Sequence, residues 1–410
     1  MDNSTPLVRF DQIAEMISER IDPSEAEVER YVGLEHLDPE TLQIKRWGVP
    51  SDVKGTKLRF YESDIIFGKR RAYQRKLAVA DFEGICSAHA MVLRARPDAC
   101  LPEFLPFFMQ SEMFFERALA ISVGSLSPTI NWKTLARQEF PLPPIDEQRR
   151  IAEILWAADE AVEKQDELRE EVQKNQVRLS ISLMNSGLFK NGKKEVEAAS
   201  PFQTKRITRK IPQDWKIHKL SEVIKSADNG FASGDRDENG IVQLRMNNIS
   251  RRGRFIWEDI TRVPEDAANI EKYLLTPGDI VFNNTNSEDL VGKSAYFEGY
   301  SEDLVFSNHF TRIRVKPKLL LPKYLSFWLR SKFFIGLFLH RCQRWVGQAA
   351  VQRDNLLQLE ILIPPIDEQV EIIKILESLE QQFISISSHI EILMETKKAL
   401  MEKLVSSYMR

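Results

Sequence analysis

PPIDEQ at residues 143–148 and PPIDEQ again at residues 364–369 decide the reading of this 410-residue chain. A six-residue identity returning after 221 positions means one plan of domain length used twice. The match extends leftward. LPEFLPFFMQSEMF at 101–114 answers LPKYLSFWLRSKFF at 321–334, and SAHAMVLRARP at 87–97 answers SNHFTRIRVKP at 307–317. Further left, ESDIIF at 62–67 pairs with PGDIVF at 277–282, and ADFEG at 80–84 with AYFEG at 295–299. The offset drifts by a few residues, as loop insertions in one fold produce.

Rightward of each PPIDEQ the correspondence lies in periodicity. Ile372, Leu376, Leu379, Phe383, Ile386, Ile390, Leu393, Leu400 and Leu404 alternate spacings of four and three, broken only at Lys397. This is a heptad seam. The first copy keeps the register at Ile151, Leu155, Ala158, Val162, Val172, Leu179 and Leu183, with Gln165, Arg169 and Gln176 diluting its centre. Roughly 40 residues at 1.5 Å each make a rod of about 60 Å, longer than one small domain is wide, so a second rod is expected as its partner. The first rod leads into the second globular part and the second leaves that part from the equivalent point, so the two are expected to lie antiparallel.

The expected fold class is therefore α+β: two mixed α/β recognition domains separated by two long antiparallel helices forming a coiled coil, with a pseudo-twofold repeat. The expected divisions are a first domain at 1–143, a first long helix at 144–189, a linker at 190–209, a second domain at 210–363 and a second long helix at 364–410. Short β-branched and aromatic runs such as Ile241–Leu244, Asp279–Phe282 and Thr311–Val315 predict strands. Residues 102–119 and 322–339 predict helices opening near a proline. The paired prolines stop a strand and start the long helix, whose first turn, Ile-Asp-Glu, suits the helix dipole.

Hydrophobic content of 43% and charged content of 29% place the chain among globular proteins rather than disordered ones. No apolar run approaches the 18 residues of a membrane span, and MDNSTPLVRF does not read as a signal peptide, so a cytoplasmic setting without a membrane partner is expected. Cys86, Cys100 and Cys342 are odd in number and far apart, which argues for neither a disulfide framework nor a zinc site.

A net charge of −3 conceals an asymmetry: residues 205–363 hold 25 basic and 19 acidic side chains, while every other part is net acidic. Nucleic-acid binding needs a basic face, not a basic total. KRRAYQRK at 69–76 supplies Lys69, Arg70, Arg71, Tyr73, Arg75 and Lys76. RMNNISRRGR at 245–254 supplies Arg245, Asn247, Asn248, Arg251 and Arg252, and NNTN at 283–286 supplies Asn283, Asn284 and Asn286, with Lys293 following. Taken singly, each such run is most simply a solvated loop. The repeat changes the weighting, because aligning Asp64 on Asp279 sets Gly68-Lys69-Arg70-Arg71 opposite Asn283-Asn284-Thr285-Asn286. Arginine and lysine suit the guanine acceptors of the major groove, and asparagine suits adenine's donor and acceptor pair. The same side chains also suit phosphates. A fixed scaffold with a changed loop is what two readers of different short duplex sequences require.

Catalytic signals are missing. Neither Pro-Pro step follows Asn or Asp, as an adenine methyltransferase would need, and Gly292-Lys293-Ser294 lacks the upstream glycine of a phosphate loop, since Ser287 stands there. His89 and His309 occupy matching positions, and a role in strand pairing is the simpler expectation for both. No resident cofactor or metal is expected.

The order of globular part, Pro-Pro-x-x-Glu-Gln helix, globular part and Pro-Pro-x-x-Glu-Gln helix resembles the specificity subunit of Type I restriction-modification systems, from about Phe10 to Arg410. Trp215 with Leu220-Ser221-Glu222-Val223, and the Gly278-Asp279-Ile280 step, strengthen the resemblance. The first copy departs from it, with Phe10-Asp11-Gln12-Ile13 in place of a tryptophan entry and an unusually basic loop after Asp64. The resemblance implies a non-catalytic subunit whose two target recognition domains each read one half of a bipartite double-stranded DNA site, the helices acting as a ruler. It implies two modification subunits docked on the helices, binding S-adenosylmethionine and methylating adenine, and restriction subunits translocating with ATP and magnesium. Two alternatives of another class are a nuclease or modification enzyme with a fused recognition half, against which the missing motifs argue, and a coiled-coil adaptor with two protein-binding heads.

Overall fold

The structure is a computed structural model describing residues 6–39, 41–188, 192–200 and 206–406. Its packing divides the chain into two units, Met1–Glu167 with Ile386–Arg410, and Leu168–Ser385. The long helices are Ile145–Ser186 and Ile366–Ser406, 42 and 41 residues, and each contributes to both units.

In the first unit a four-stranded antiparallel sheet runs in the order Ala14–Ile17, Ala90–Ala95, Ile65–Gly68, Leu77–Val79. In the second unit the order Ile224–Asn229, Phe310–Val315, Ile280–Asn283, Ser294–Tyr296 repeats it strand for strand. Gly68 faces Ala90 in one and Asn283 faces Phe310 in the other, so the registers correspond as well. The same internal ion pair braces both: Arg94 Nε donates to Asp64 at 2.8 Å and Arg314 Nε to Asp279 at 2.6 Å. Each carboxylate also accepts a turn N–H, from Tyr61 and Thr276, both at 2.9 Å. A second sheet differs between the copies. The first has four strands ordered Arg20–Ile21, Lys57–Phe60, Gly84–Cys86, Tyr31–Val32, and the second has three, Thr261–Val263, Ile241–Leu244, Leu304–Phe306.

Aromatic packing fills the first unit, where Phe10, Phe108, Phe114 and Phe140 are all buried and Phe10 lies 5.4 Å from Phe114 between ring centroids. In the second, the buried Trp215 indole donates to Glu368 at 2.9 Å, and the same carboxylate accepts the Leu188 N–H. The helices expected at 102–119 and 322–339 are each broken. Ser111 separates Leu105–Gln110 from Glu112–Ala120, capping the latter by accepting the Phe114 N–H, and Gly336 at φ 74° separates Pro322–Phe334 from Leu337–Arg341.

Within each unit the long helices pair antiparallel. In the first, Ile151, Ala152 and Leu155 share a core with Met401 and Val405, and Asp159 meets Lys397. In the second, Leu183 and Met184 pack with Ile372, Ile373 and Leu376, and the Gln176 amide donates to the Leu379 carbonyl. Leu179, expected in the seam, is instead exposed, while Gln176, one turn earlier in the same register, faces the partner helix.

The expected linker is also not structureless. Lys193–Ala199 and Arg206–Pro212 pair residue for residue from Lys193↔Pro212 to Ala199↔Arg206. Alternation explains it: Val196, Ala198, Ile207 and Ile211 turn inward between exposed charged neighbours. The part of the expected linker at 190–191 and 201–205 lies outside the described residues.

Candidate nucleic-acid interface

Leaving the shared sheet, each copy builds a small apron in the same place, from isolated bridges in the first unit and from three short strands in the second. In the first unit Thr129 bridges both Arg70 and Val123, and Ile130 N–H donates to the Lys69 carbonyl at 2.9 Å. In the second, Thr285–Asn286 pairs with Gln348–Ala350, which pairs with Gln343–Trp345, and Val351 N–H donates to the Asn284 carbonyl at 2.8 Å. The outer turns of both aprons carry bare apolar side chains, Val123 and Leu126 in one, Trp345 and Val346 in the other. Leu126 is 92% exposed, which no packing requirement of the unit explains. These turns were not anticipated from the sequence. The readable signal was a valine directly before a glycine in both copies, Val123-Gly124 and Trp345-Val346-Gly347, outside any hydrophobic period.

The basic run of the first unit divides into inward and outward members. Arg75 is ion-paired to Glu112 and stacks over Phe115 with 5.1 Å to the ring centroid, and Lys76 Nζ donates to the Leu34 carbonyl at 2.6 Å. Lys69 is half-buried, and burial followed by the nearby Arg20 pushes its ammonium down from the ordinary lysine value. Arg70, Arg71 and Tyr73 face solvent, with Arg70 Nη1 3.1 Å from His89 Nε2. Arg71 and Arg75 hold left-handed backbone at φ 57° and 52° on either side of the single turn bearing Tyr73. Non-glycine residues reach that region at a cost, and the Arg75–Glu112 pair and the Arg71 N–H bond to the Pro128 carbonyl, 2.8 Å, hold it.

In the second unit the structure corrects much of the expected reading surface. Asn283, Asn284 and Asn286 are buried, and their amides are spent internally. Asn283 Nδ2 donates to the Thr285 and His309 carbonyls at 3.0 and 2.9 Å, Asn284 Nδ2 to Thr311 Oγ1 at 3.1 Å, and Asn286 Nδ2 to Asn283 Oδ1 at 2.6 Å. The reason is positional: Asn283 ends a strand buried on both faces, where an amide must find partners inside. Asn248 is likewise buried, closing a turn through Ile256 and Asp259 carbonyls. Lys293 is buried with Nζ donating to the Met246 and Ile249 carbonyls at 3.0 and 2.6 Å, and burial pushes its ammonium down. Gly292 beside it, at φ 91°, is required because a Cβ would stand 2.3 Å from the Phe338 ring. Gly292-Lys293-Ser294 is thus a packing device.

Arg252 turns away from solvent onto Phe383 of the second long helix, 3.2 Å from the ring centroid, and burial with Arg254 and Arg330 nearby lowers it to about 10. Arg245 is half-buried and lowered by burial, then by Arg236. Asn247 and Arg251 remain at the surface, Asn247 donating to Asp259 at 3.1 Å and Arg251 lying 3.5 Å from Asp289. Arg344 joins them from the apron, 3.4 Å from Glu288. His89 and His309 serve the strand pairing: their carbonyls accept the Arg70 and Asn284 N–H groups at 3.3 and 2.9 Å. Burial lowers both imidazoles. Among the described residues no group of three His, Cys, Asp or Glu side chains could hold a metal, and no helix is long and apolar enough to cross a membrane.

Known proteins share this arrangement. The chain is 33% identical over 199 residues to the putative type I restriction enzyme MjaX specificity subunit of Methanocaldococcus jannaschii, covering 47% of this chain and 46% of that one. It is 25% identical over 295 residues to the MjaVIII specificity subunit of the same organism, covering 70% and 66%. The chain thus spans about half to two thirds of the length of these curated relatives. Among solved structures, a chain from work on complex assembly and conformational transition of the type I R-M system has the same fold at TM-score 0.58 and 20% identity, covering 98% of this chain and 97% of that one. The S subunit of the Type-I restriction-modification system of M. genitalium matches at TM-score 0.52 and 14% identity, covering 97% and 95%. The sequence profile of the Type I restriction modification DNA specificity domain matches residues 46–174 and 212–395, and the chain belongs to that family.

Proposed function

We propose that this chain is the DNA-reading, non-catalytic subunit of a Type I restriction-modification complex, each unit reading one half of an asymmetric bipartite site in the major groove. The observation that carries the reading is the contrast between a sheet shared by the two copies, with its Asp–Arg brace, and surrounding loops whose exposed polar and aromatic side chains differ between copies. In the first unit the reading groups are Arg70, Arg71 and Tyr73 with the Val123–Leu126 turn. In the second they are Asn247, Arg251 and Arg344 with Trp345 and Val346. The Arg251–Asp289 and Arg344–Glu288 pairs are exposed, so either arginine exchanges its carboxylate for a phosphate at small cost. Apolar tips beside cations suit thymine methyls and base faces. The buried Asn248, Asn283, Asn284, Asn286 and Lys293, and the inward Lys69, Arg75, Lys76, Arg245 and Arg252, shape the loops that present these groups.

The long helices, in this reading, set the spacer between half-sites and dock two modification subunits that bind S-adenosylmethionine, with restriction subunits using ATP and magnesium joining them. The reading is tested by mapping methylated adenines in cells carrying the partner subunits, with and without this chain. A bipartite motif present only with the chain supports it, and an unchanged methylation map overturns it.

A further inference from the structure

The second unit contains a cavity of about 260 Å³ at the foot of the β-ribbon, and its wall is cationic. Lys332 enters it from the Pro322–Phe334 helix, Arg209 from the ribbon and Arg341 from the Leu337–Arg341 helix. Lys332 is only 8% exposed, and among the described residues no hydrogen-bond acceptor meets its ammonium, which lies 5.3 Å from the Trp328 ring centroid. Arg209 spends Nη2 on Asn185 at 3.1 Å and Arg341 spends Nη2 on the Ser200 carbonyl at 3.3 Å. The one carboxylate among the lining residues, Glu360, is already held by Arg206 and the Ala199 N–H, each at 2.8 Å.

A buried charge without an acceptor is costly, and such charges are normally paired. Among the described residues no carboxylate pairs with the Lys332 ammonium, which has only the Trp328 ring beside it and otherwise opens to the cavity. The cavity holds several times the roughly 30 Å³ share of one liquid water, enough for an oxyanion with solvent. We propose that Lys332, Arg209 and Arg341 form an anion site that takes a phosphate or carboxylate oxyanion. In the first unit Glu112 stands where the second has Lys332, and it is paired to Arg75. Burial, then Arg209, lowers the Lys332 ammonium to about 8, and an anion would restore it.

The test is thermal unfolding of the full chain in phosphate and, separately, acetate, against chloride at matched ionic strength, for the wild type, Lys332→Met and Arg209→Gln. The expected result is a saturable rise in Tm with phosphate or acetate in the wild type, reduced in Arg209→Gln and absent in Lys332→Met. A response to acetate as strong as that to phosphate identifies a carboxylate site, and response to phosphate alone a phosphate site. Equal shifts in wild type and Lys332→Met, or none beyond chloride in any protein, overturn the proposal.

Discussion

Lys397 donates to Asp159 inside the first unit, where both side chains are at least nine-tenths buried. The one polar residue that breaks the heptad series of the second long helix thus meets an acid on the first, and Phe107 lies beneath the ammonium at 5.8 Å. A charge pair buried among the apolar residues at this end of the seam fixes register, because any slip leaves both groups buried and alone.

Breaking that pair from one side should be costly. Lys397→Ala or Asp159→Ala is expected to lower stability by roughly 3–5 kcal/mol, whereas the double change to leucine should be near neutral or stabilising. Urea unfolding of the three proteins checks this. If the single variants cost no more than an exposed pair would, the seam is solvated and the register argument fails.

Gln148 and Gln369 explain why the repeat reads Glu-Gln. Both are fully buried. Gln148 accepts the Leu101 N–H and donates to the Ala99 and Pro143 carbonyls, all at 2.9 Å; Gln369 accepts from Leu321 at 2.8 Å and donates to Leu319 and Pro364 at 3.0 Å. One amide therefore ties the start of each long helix to the loop ahead of Leu105–Gln110 in the first copy and of Pro322–Phe334 in the second. Gln148→Leu and Gln369→Leu each strand three buried backbone groups at about 1 kcal/mol or more apiece, so losses of at least about 3 kcal/mol are expected, alike in the two copies. Denaturant midpoints measure them, and a loss confined to one copy would contradict the equivalence.

The sequence carried the repeat, the strand order it implies and the antiparallel helices, since all rest on spacing. It did not carry the fate of individual polar side chains. Asn284 and Arg70 both follow the equivalent strand of their copy and both are polar, yet one closes a buried network and the other faces water, a difference set by how the apron folds over them. Periodicity was equally silent about Leu126 and Trp345, because an exposed apolar tip belongs to no pattern. The Gln of PPIDEQ was visible as an identity but not as a clamp, its partners lying about 50 residues away in sequence.

The proposed reading groups separate from the buried ones by experiment. Arg70→Ala with Arg71→Ala should relax one half-site, since a good bidentate contact contributes roughly 1–3 kcal/mol of discrimination, while Asn284→Ala should lower stability and leave the letters of both half-sites intact. Binding of the assembled complex to a library of duplexes resolves the two effects. Uniform loss at every sequence for the arginine variant would assign those side chains to phosphates.

Lys332 gives a pH dependence of definite sign. Its ammonium is lowered from the ordinary 10.5 to about 8 by burial and by Arg209, so between these values the unfolded chain binds more protons than the folded one. Stability attributable to this group therefore rises with pH over that window. Below it, both states are charged and the full penalty stands, at most about 3 kcal/mol. Lys332→Met should be more stable than the wild type at pH 7, with the gap closing as pH approaches 10. Saturating anion should narrow the gap at pH 7 as well, because it favours the charged form. Unfolding free energies of both proteins from pH 7 to 10 supply the comparison, and a gap independent of pH would show that the ammonium is solvated.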